Sequence, residues 1–226
     1  RSGLMEGAAQ AVDLYGAAEC QPYVQTTETA MQTVSFSQMK DGTREDYLLL
    51  AELERPFVQG TADRVLTELG RQADESLSGY KITRLDHALQ SATRARRDGA
   101  DVDWIVGALL HDSGDGLAPQ NHGPVAAEIL RPFVREEVTW VLENHGVFQM
   151  AYYAQFYGWD PEERQKFKAN PHYQTCVDFC ERWDQSSFDP DYPTDPLESF
   201  VEQTRAVFAR KAHDPSVLRP GEALGL

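Results

Sequence analysis

From Arg44 onward the apolar residues recur at helical spacing, as in YLLLAELERPFV, TADRVLTELGRQADE and LDHALQSATRARR. Alternating β-branched runs are few, so the pattern predicts helix after helix and an all-α fold. Turn chemistry marks the interruptions. Gly60-Thr61 predicts a helix start capped by Thr61, Asp98-Gly99 a helix end, and Ala169-Asn170-Pro171 a break between two further helices. The apolar run 104–110 predicts a helix driven inside the protein. After Asp184, Pro190, Pro193 and Pro196 rule out continuous helix and predict an ordered loop, followed by a last amphipathic helix near 197–212. On this pattern, 1–43 is a weakly patterned N-terminal arm whose opening residues read as a partly non-native leader, 44–212 is the domain, and 213–226 is a peripheral tail.

Composition narrows the class. A chain of 226 residues, 41% hydrophobic and 25% charged, suits one soluble domain with a sizeable core. No apolar run approaches the roughly 20 residues of a membrane span, and the opening residues lack a basic start followed by an apolar stretch. The net charge of −15 repels nucleic acid and anionic lipid, so a small molecule is the expected partner; nothing in the pattern indicates an oligomeric state. Cys20, Cys176 and Cys180 form neither an even set nor paired CxxC motifs, which points away from disulfides and fits a cytoplasmic location. Cys176 and Cys180 are one helical turn apart beside apolar neighbours and are expected in the core.

The candidate chemistry lies in the histidines. Four of the six occupy one kind of place, on a helix or at its end beside an apolar stripe: His87 in LDHALQSA, His111 in GALLHDSGD, His122 in QNHGPVAAEIL and His145 in WVLENHGVF. A lone histidine on an apolar face is ordinarily a hydrogen-bonded core residue. Four of them with Asp112 at the end of a buried helix are better explained by metal, because a buried carboxylate needs a partner. Adjacent helical residues point about 100° apart, so His111 can serve one ion while the oxygens of Asp112 bridge to a second. Histidine and carboxylate donors suit iron, manganese, cobalt or zinc. Gly146, after His145, is expected to let the backbone turn away. Asp184, at a predicted helix C-terminus where cations are favoured, also calls for a positive partner. His172, at a helix start, and His213, in the tail, are set aside.

These residues resemble the HD-domain superfamily, whose signature of a histidine, a later His-Asp pair and a distal aspartate is met by His87, His111-Asp112 and Asp184. His122 and His145 match the subset that binds two metals. Within that subset TRLDHALQSA, GALLHDSG and RWD are most similar to the mixed-valent di-iron oxygenases, namely myo-inositol oxygenase and the phosphonate-cleaving HD oxygenases, over about 79–188. The resemblance implies an all-α HD bundle with a dinuclear site. His87, His111 and Asp184 hold one iron, His122 and His145 the other, and Asp112 bridges them. It further implies an Fe(II)/Fe(III) pair that uses O2 as co-substrate, removes hydrogen from a hydroxyl-bearing carbon and leads to C–C or C–P cleavage.

The chain also departs from that pattern. Leu77 and Tyr80 stand where the phosphonate enzymes carry a tyrosine and a glutamate, which puts their induced-fit switch in doubt. At the positions that contact substrate in those enzymes the chain has Asp115, Gln149 and Glu181 in place of basic residues. Arg182, Lys166 and Lys168 are the alternative cations, and an acidic site is the natural match for a neutral polyol or a cation. The aromatic segment VFQMAYYAQFYGWD, with Trp183, Phe188 and Tyr192, is expected either to pack the core and a lid or to wall a pocket for a quaternary ammonium. The same six ligands also fit a metal-dependent phosphohydrolase of nucleotidase or phosphodiesterase type. Asp115 and the missing basic cradle count against that alternative. A noncatalytic sensing module ranks last, because no ligand is lost.

Overall fold

The computed structural model describes residues 32–74 and 79–218. Leu77, Cys20, most of the expected arm and the end of the tail lie outside them. The described residues are helical and contain no β-strand, so the fold is all-α. The chain divides into compact units 1–54 and 55–226, with the boundary inside α1 (Arg44–Gln59). In the first unit, Asp46 accepts hydrogen bonds from the backbone N–H of Ser35 (2.7 Å) and Thr43 (2.9 Å) and from both hydroxyls. The two backbone donors, Ser35 foremost, hold its carboxyl well below the usual carboxylate range.

The second unit is built from α2 (Thr61–Arg71), α3 (Arg84–Arg97), α4 (Val102–Leu110), α5 (His122–Leu130), α6 (Glu136–Tyr157), α7 (Tyr173–Phe179), α8 (Glu198–Phe208) and the single turn α9 (Pro215–Leu218). Helix α3 starts on a reciprocal cap: Thr83 Oγ1 accepts from the Asp86 N–H, and the Asp86 carboxylate accepts from the Thr83 N–H. That box fixes the helix one turn before His87. Helix α4 begins with Asp101 accepting from the Trp104 N–H at 3.1 Å, and its residues from Asp103 to Leu110 are all buried. It packs against α3, α6 and α8, while α5 lies along α6. Leu109 and Leu110 are fully buried at the end of α4, immediately before His111. Leu109→Ala is therefore expected to cost about 2–5 kcal/mol of stability in a denaturant titration; a change under about 1 kcal/mol would show that α4 does not anchor the core.

Several sequence expectations are refined. Thr61 is the first residue of α2, not its cap, and its hydroxyl donates to the Val58 carbonyl at 2.6 Å. Helix α3 ends as expected, with Gly99 in the left-handed region at φ 77°. Gly146 does not turn the chain: α6 runs through it and ends at Gly158, φ 74°. The aromatic residues 148–157 thus belong to α6. Helix α8 stops at Phe208, and Arg210 beyond it reaches the Phe133 carbonyl (2.7 Å) and the buried Asp103 (2.8 Å). Cys176 and Cys180 are buried, facing the Val141 and His145 carbonyls of α6, in agreement with a core role.

Between α7 and the proline-rich loop lies a π-type turn, Cys180–Asp184, in which the Gln185 N–H donates to the Cys180 carbonyl (2.9 Å). The Trp183 carbonyl at this turn accepts the hydroxyls of Ser91 (3.0 Å) and Ser187. The Asp98 carboxylate accepts from Trp183 Nε1 and from Arg182, both at 2.7 Å. Helix α3 and its C-terminal cap thereby hold the turn that carries Asp184.

Candidate metal centre

Five elements deliver the six residues. His87 comes from α3, His111 and Asp112 from the end of α4, His122 from the first position of α5, His145 from the middle of α6, and Asp184 from the end of the π-type turn. His87, His111, His145 and Asp184 are buried, whereas His122 and Asp112 are partly open.

Main-chain carbonyls orient all four imidazoles. Nδ1 lies 2.9 Å from the Ser187 carbonyl in His87, 2.8 Å from Ala108 in His111, 3.0 Å from Pro119 in His122 and 2.7 Å from Leu142 in His145. A carbonyl only accepts, so each Nδ1 carries the proton and a neutral ring presents its Nε2 lone pair. Those lone pairs converge: His87 Nε2 is 3.1 Å from His111 Nε2, and His122 Nε2 is 3.3 Å from His145 Nε2. Two neutral acceptors at such distances repel unless a cation or a proton lies between them.

Asp112 lies between the two pairs. Its Oδ1 is 3.2 Å from His145 Nε2 and 3.4 Å from His122 Nε2, while its Oδ2 is 3.5 Å from His87 Nε2 and 3.4 Å from His111 Nε2. Asp184 Oδ1 faces the first pair, at 3.3 Å from His87 and 3.6 Å from His111. Its other oxygen is buried without a hydrogen-bond partner, a costly state that a metal relieves. The donor set therefore fits two cations, with Asp112 shared between them and Asp184 on the side of His87 and His111.

Protonation follows the same geometry when no metal is bound. Burial opposes the charged form of His145, but hydrogen bonding and charge from Asp112, helped by Asp184, outweigh it and raise the imidazole to about 9. His87 is also raised, against its burial, by Asp184 and Asp112. Both carboxyls are burdened by burial, yet the surrounding imidazoles hold them below the usual range. A metal entering the site must displace these protons.

Above the histidine and aspartate cluster opens a cavity of about 470 Å³, within the range of small-molecule sites. Asp115 and Gln149 line it, as do Tyr80, Tyr152, Tyr153 and Phe188. Phe188 stacks on His87, with ring centroids 4.4 Å apart, and Tyr80 stacks on Phe188 at 5.1 Å. Gly146 lines the same space, and a Cβ there would meet nothing within 4 Å, so this glycine widens the cavity instead of bending the helix.

Other expected residues stand elsewhere. Glu181 is exposed and absent from the cavity wall, as the π-type turn directs Asp184 inward. Trp183 packs on Trp104 and Phe179, and Tyr192 lies under the Arg94 guanidinium at 3.8 Å. Arg182 is engaged by Asp98 and Lys166 by Glu163, while Lys168 is exposed outside the wall. His172 packs near Trp140, away from the ligands, and the His213 N–H donates to Pro132. The sequence reading missed Arg84, the one arginine or lysine among the described residues lining the cavity.

The HD domain family profile matches residues 84–183, a span that contains all four histidines and Asp112 and stops one residue before Asp184. The chain is 34% identical to [1-hydroxy-2-(trimethylamino)ethyl]phosphonate dioxygenase (glycine-betaine-forming) of Leisingera caerulea, over 33% of this chain and 44% of that protein. It therefore spans less than half of that relative's length in the match. It is also 28% identical to hydroxymethylphosphonate dioxygenase of Gimesia maris, over 54% of this chain and 76% of that protein. No helix among the described residues is long and apolar enough to cross a membrane.

Proposed function

We propose that the protein, whose residues 84–183 match the HD domain family, is a di-iron oxygenase that uses O2 to cleave the C–P bond of a small hydroxylated phosphonate. The observation that carries the proposal is the division of Asp112 between two histidine pairs, each oxygen lying within 3.5 Å of both Nε2 atoms of its pair. Such a carboxylate suits two ions held close together. The names of the two relatives support the substrate class. Conversion of an α-hydroxyphosphonate and O2 to a carboxylate and phosphate balances with no other reductant or oxidant.

When bound, the iron pair supplies the redox capacity for O2 activation and for removal of the hydrogen on the hydroxyl-bearing carbon. The protein's own groups have separate tasks. The backbone carbonyls hold every imidazole in its ligating tautomer. Phe188, stacked on His87, covers one ligand from water, and Tyr80, Tyr152 and Tyr153 complete an aromatic wall that accommodates an uncharged or methylated ammonium tail. Gln149 offers amide donors and an acceptor to substrate oxygens.

Protein isolated without added metal is expected to contain close to two irons per chain. Mild reduction followed by air should give the low-g EPR signal of a coupled mixed-valent pair, and a panel of hydroxyphosphonates should release phosphate with matching O2 consumption. Phosphatase activity supported only by manganese, cobalt or magnesium, with no such signal, would establish the hydrolase instead.

A further inference from the structure

Arg84 occupies the first position of α3, three residues before His87, and its side chain lines the cavity above the ligands. Its guanidinium Nη1 contacts Asp115 Oδ2, and the other oxygen of Asp115 is 3.2 Å from Nδ1 of His122. The side chains are only 21% and 13% exposed. Asp115 is the sole ion-pair partner of Arg84 among the described residues. A single carboxylate contact leaves much of the planar, five-donor fork of an arginine unused.

We infer that Arg84 is the anion anchor of this pocket and Asp115 its exchangeable counter-ion: the anionic group of the substrate takes the guanidinium, and Asp115 withdraws to His122. The inference rests on the phosphonate reading and assigns this chain a binding residue that the relatives' pattern does not supply here. Gln149 and Glu181 stand at the expected basic positions, and Arg182 and Lys166 are committed to other acids outside the wall.

Two physical points favour the exchange. A largely buried guanidinium is costly without an anionic partner, so Asp115 balances its charge and positions it while the pocket is empty. A phosphonate offers several oxygens to the fork, whereas one carboxylate oxygen engages it now, so the substrate gains directional bonds that Asp115 does not make. The local charge also changes once metal is counted. Asp112, Asp115 and Asp184 make the metal-free pocket acidic, but a ferrous and a ferric ion outweigh them. An acidic lining is therefore no argument for a cationic or neutral substrate, contrary to the expectation from sequence. Because Asp115 touches both Arg84 and His122, an anion on Arg84 lies one side chain away from a metal ligand.

The test is equilibrium binding of methylphosphonate, which lacks the reactive hydroxyl, to iron-loaded protein without oxygen, measured by calorimetry. Arg84→Gln is expected to weaken binding by about ten- to a hundredfold, the scale of a lost charge-assisted pair, and Arg84→Lys to weaken it less. Asp115→Asn should tighten binding, because the competing anion is gone. Iron content and melting temperature should stay close to the parent's in all three. With a hydroxyphosphonate substrate, Arg84→Gln should raise KM much more than it lowers kcat. Unchanged methylphosphonate affinity in Arg84→Gln, or loss of iron from Arg84→Gln and Arg84→Lys alike, overturns the assignment, the second by making Arg84 a support of the metal site. Weaker binding in Asp115→Asn overturns the counter-ion role. Binding requires no turnover, so a failed oxygenase assay and a failed anchor are read separately.

Discussion

Asp112→Ala is expected to empty both metal positions, taking the iron content from about two per chain to near zero by elemental analysis. No other ligand has this reach, because each Asp112 oxygen faces both nitrogens of one histidine pair at 3.2–3.5 Å. After its removal His122 and His145 keep no carboxylate of the ligand set between them, and His87 and His111 keep only Asp184. The more informative variant is Asp112→Asn. It keeps the shape and one acceptor oxygen but loses the charge and half the bridge, so about one ion should remain, on the side that still has Asp184. Full iron content in Asp112→Ala would remove Asp112 from the site and the bridging argument with it.

Gly123→Ala should damage the fold and the site together. A Cβ at Gly123 would stand 2.6 Å from the Leu142 carbonyl oxygen and 3.3 Å from Cε1 of His145. The closest atom is backbone on α6, so relief requires α5 to move outward and carry His122, at its first position, away from His145. The expected cost is about 1–3 kcal/mol, or a fall of roughly 2–10 °C in Tm for a chain of this size, with selective loss of the metal bound by His122 and His145. Gly146→Ala is the internal comparison. It lies in the middle of α6 facing open space, so its stability should hold or rise by up to about 1 kcal/mol. Equal melting temperatures for the two variants would mean that the α5–α6 approach does not set the separation of His122 and His145.

Much of this was legible in the sequence because the physics behind it is local. A carboxylate at the end of the buried 104–110 run needs partners close by, and Asp112, though partly open, finds them in histidines. The helices followed from apolar spacing, and the end of α3 from Gly99. Other features depended on contacts that no local pattern reports. Gly146 reads as a break by its chemistry, yet it is a space-maker because the pocket happens to open over it. Glu181 faces solvent because the π-type turn changes which residues between Phe179 and Asp184 point inward, and a 3.6-residue period does not anticipate that shift. Arg84 left a usable signal. A cation in the first turn opposes the helix dipole, and the argument that singled out Asp184 at a helix end applies to it with the sign reversed. No local pattern pairs it with Asp115, which comes from a different segment.

Each of the four imidazoles has a peptide carbonyl at its Nδ1, from Ser187, Ala108, Pro119 and Leu142, and His122 alone also meets a side chain there, Asp115. No point substitution deletes a carbonyl, so this orienting layer withstands mutation in a way that an aspartate or glutamine partner could not. Pocket positions such as Arg84 and Gln149, which do not touch these Nδ1 atoms, can then drift towards new substrates without reorienting the imidazoles. On the proposed function, the histidine platform and the substrate-facing surface are thus free to evolve at different rates on one scaffold.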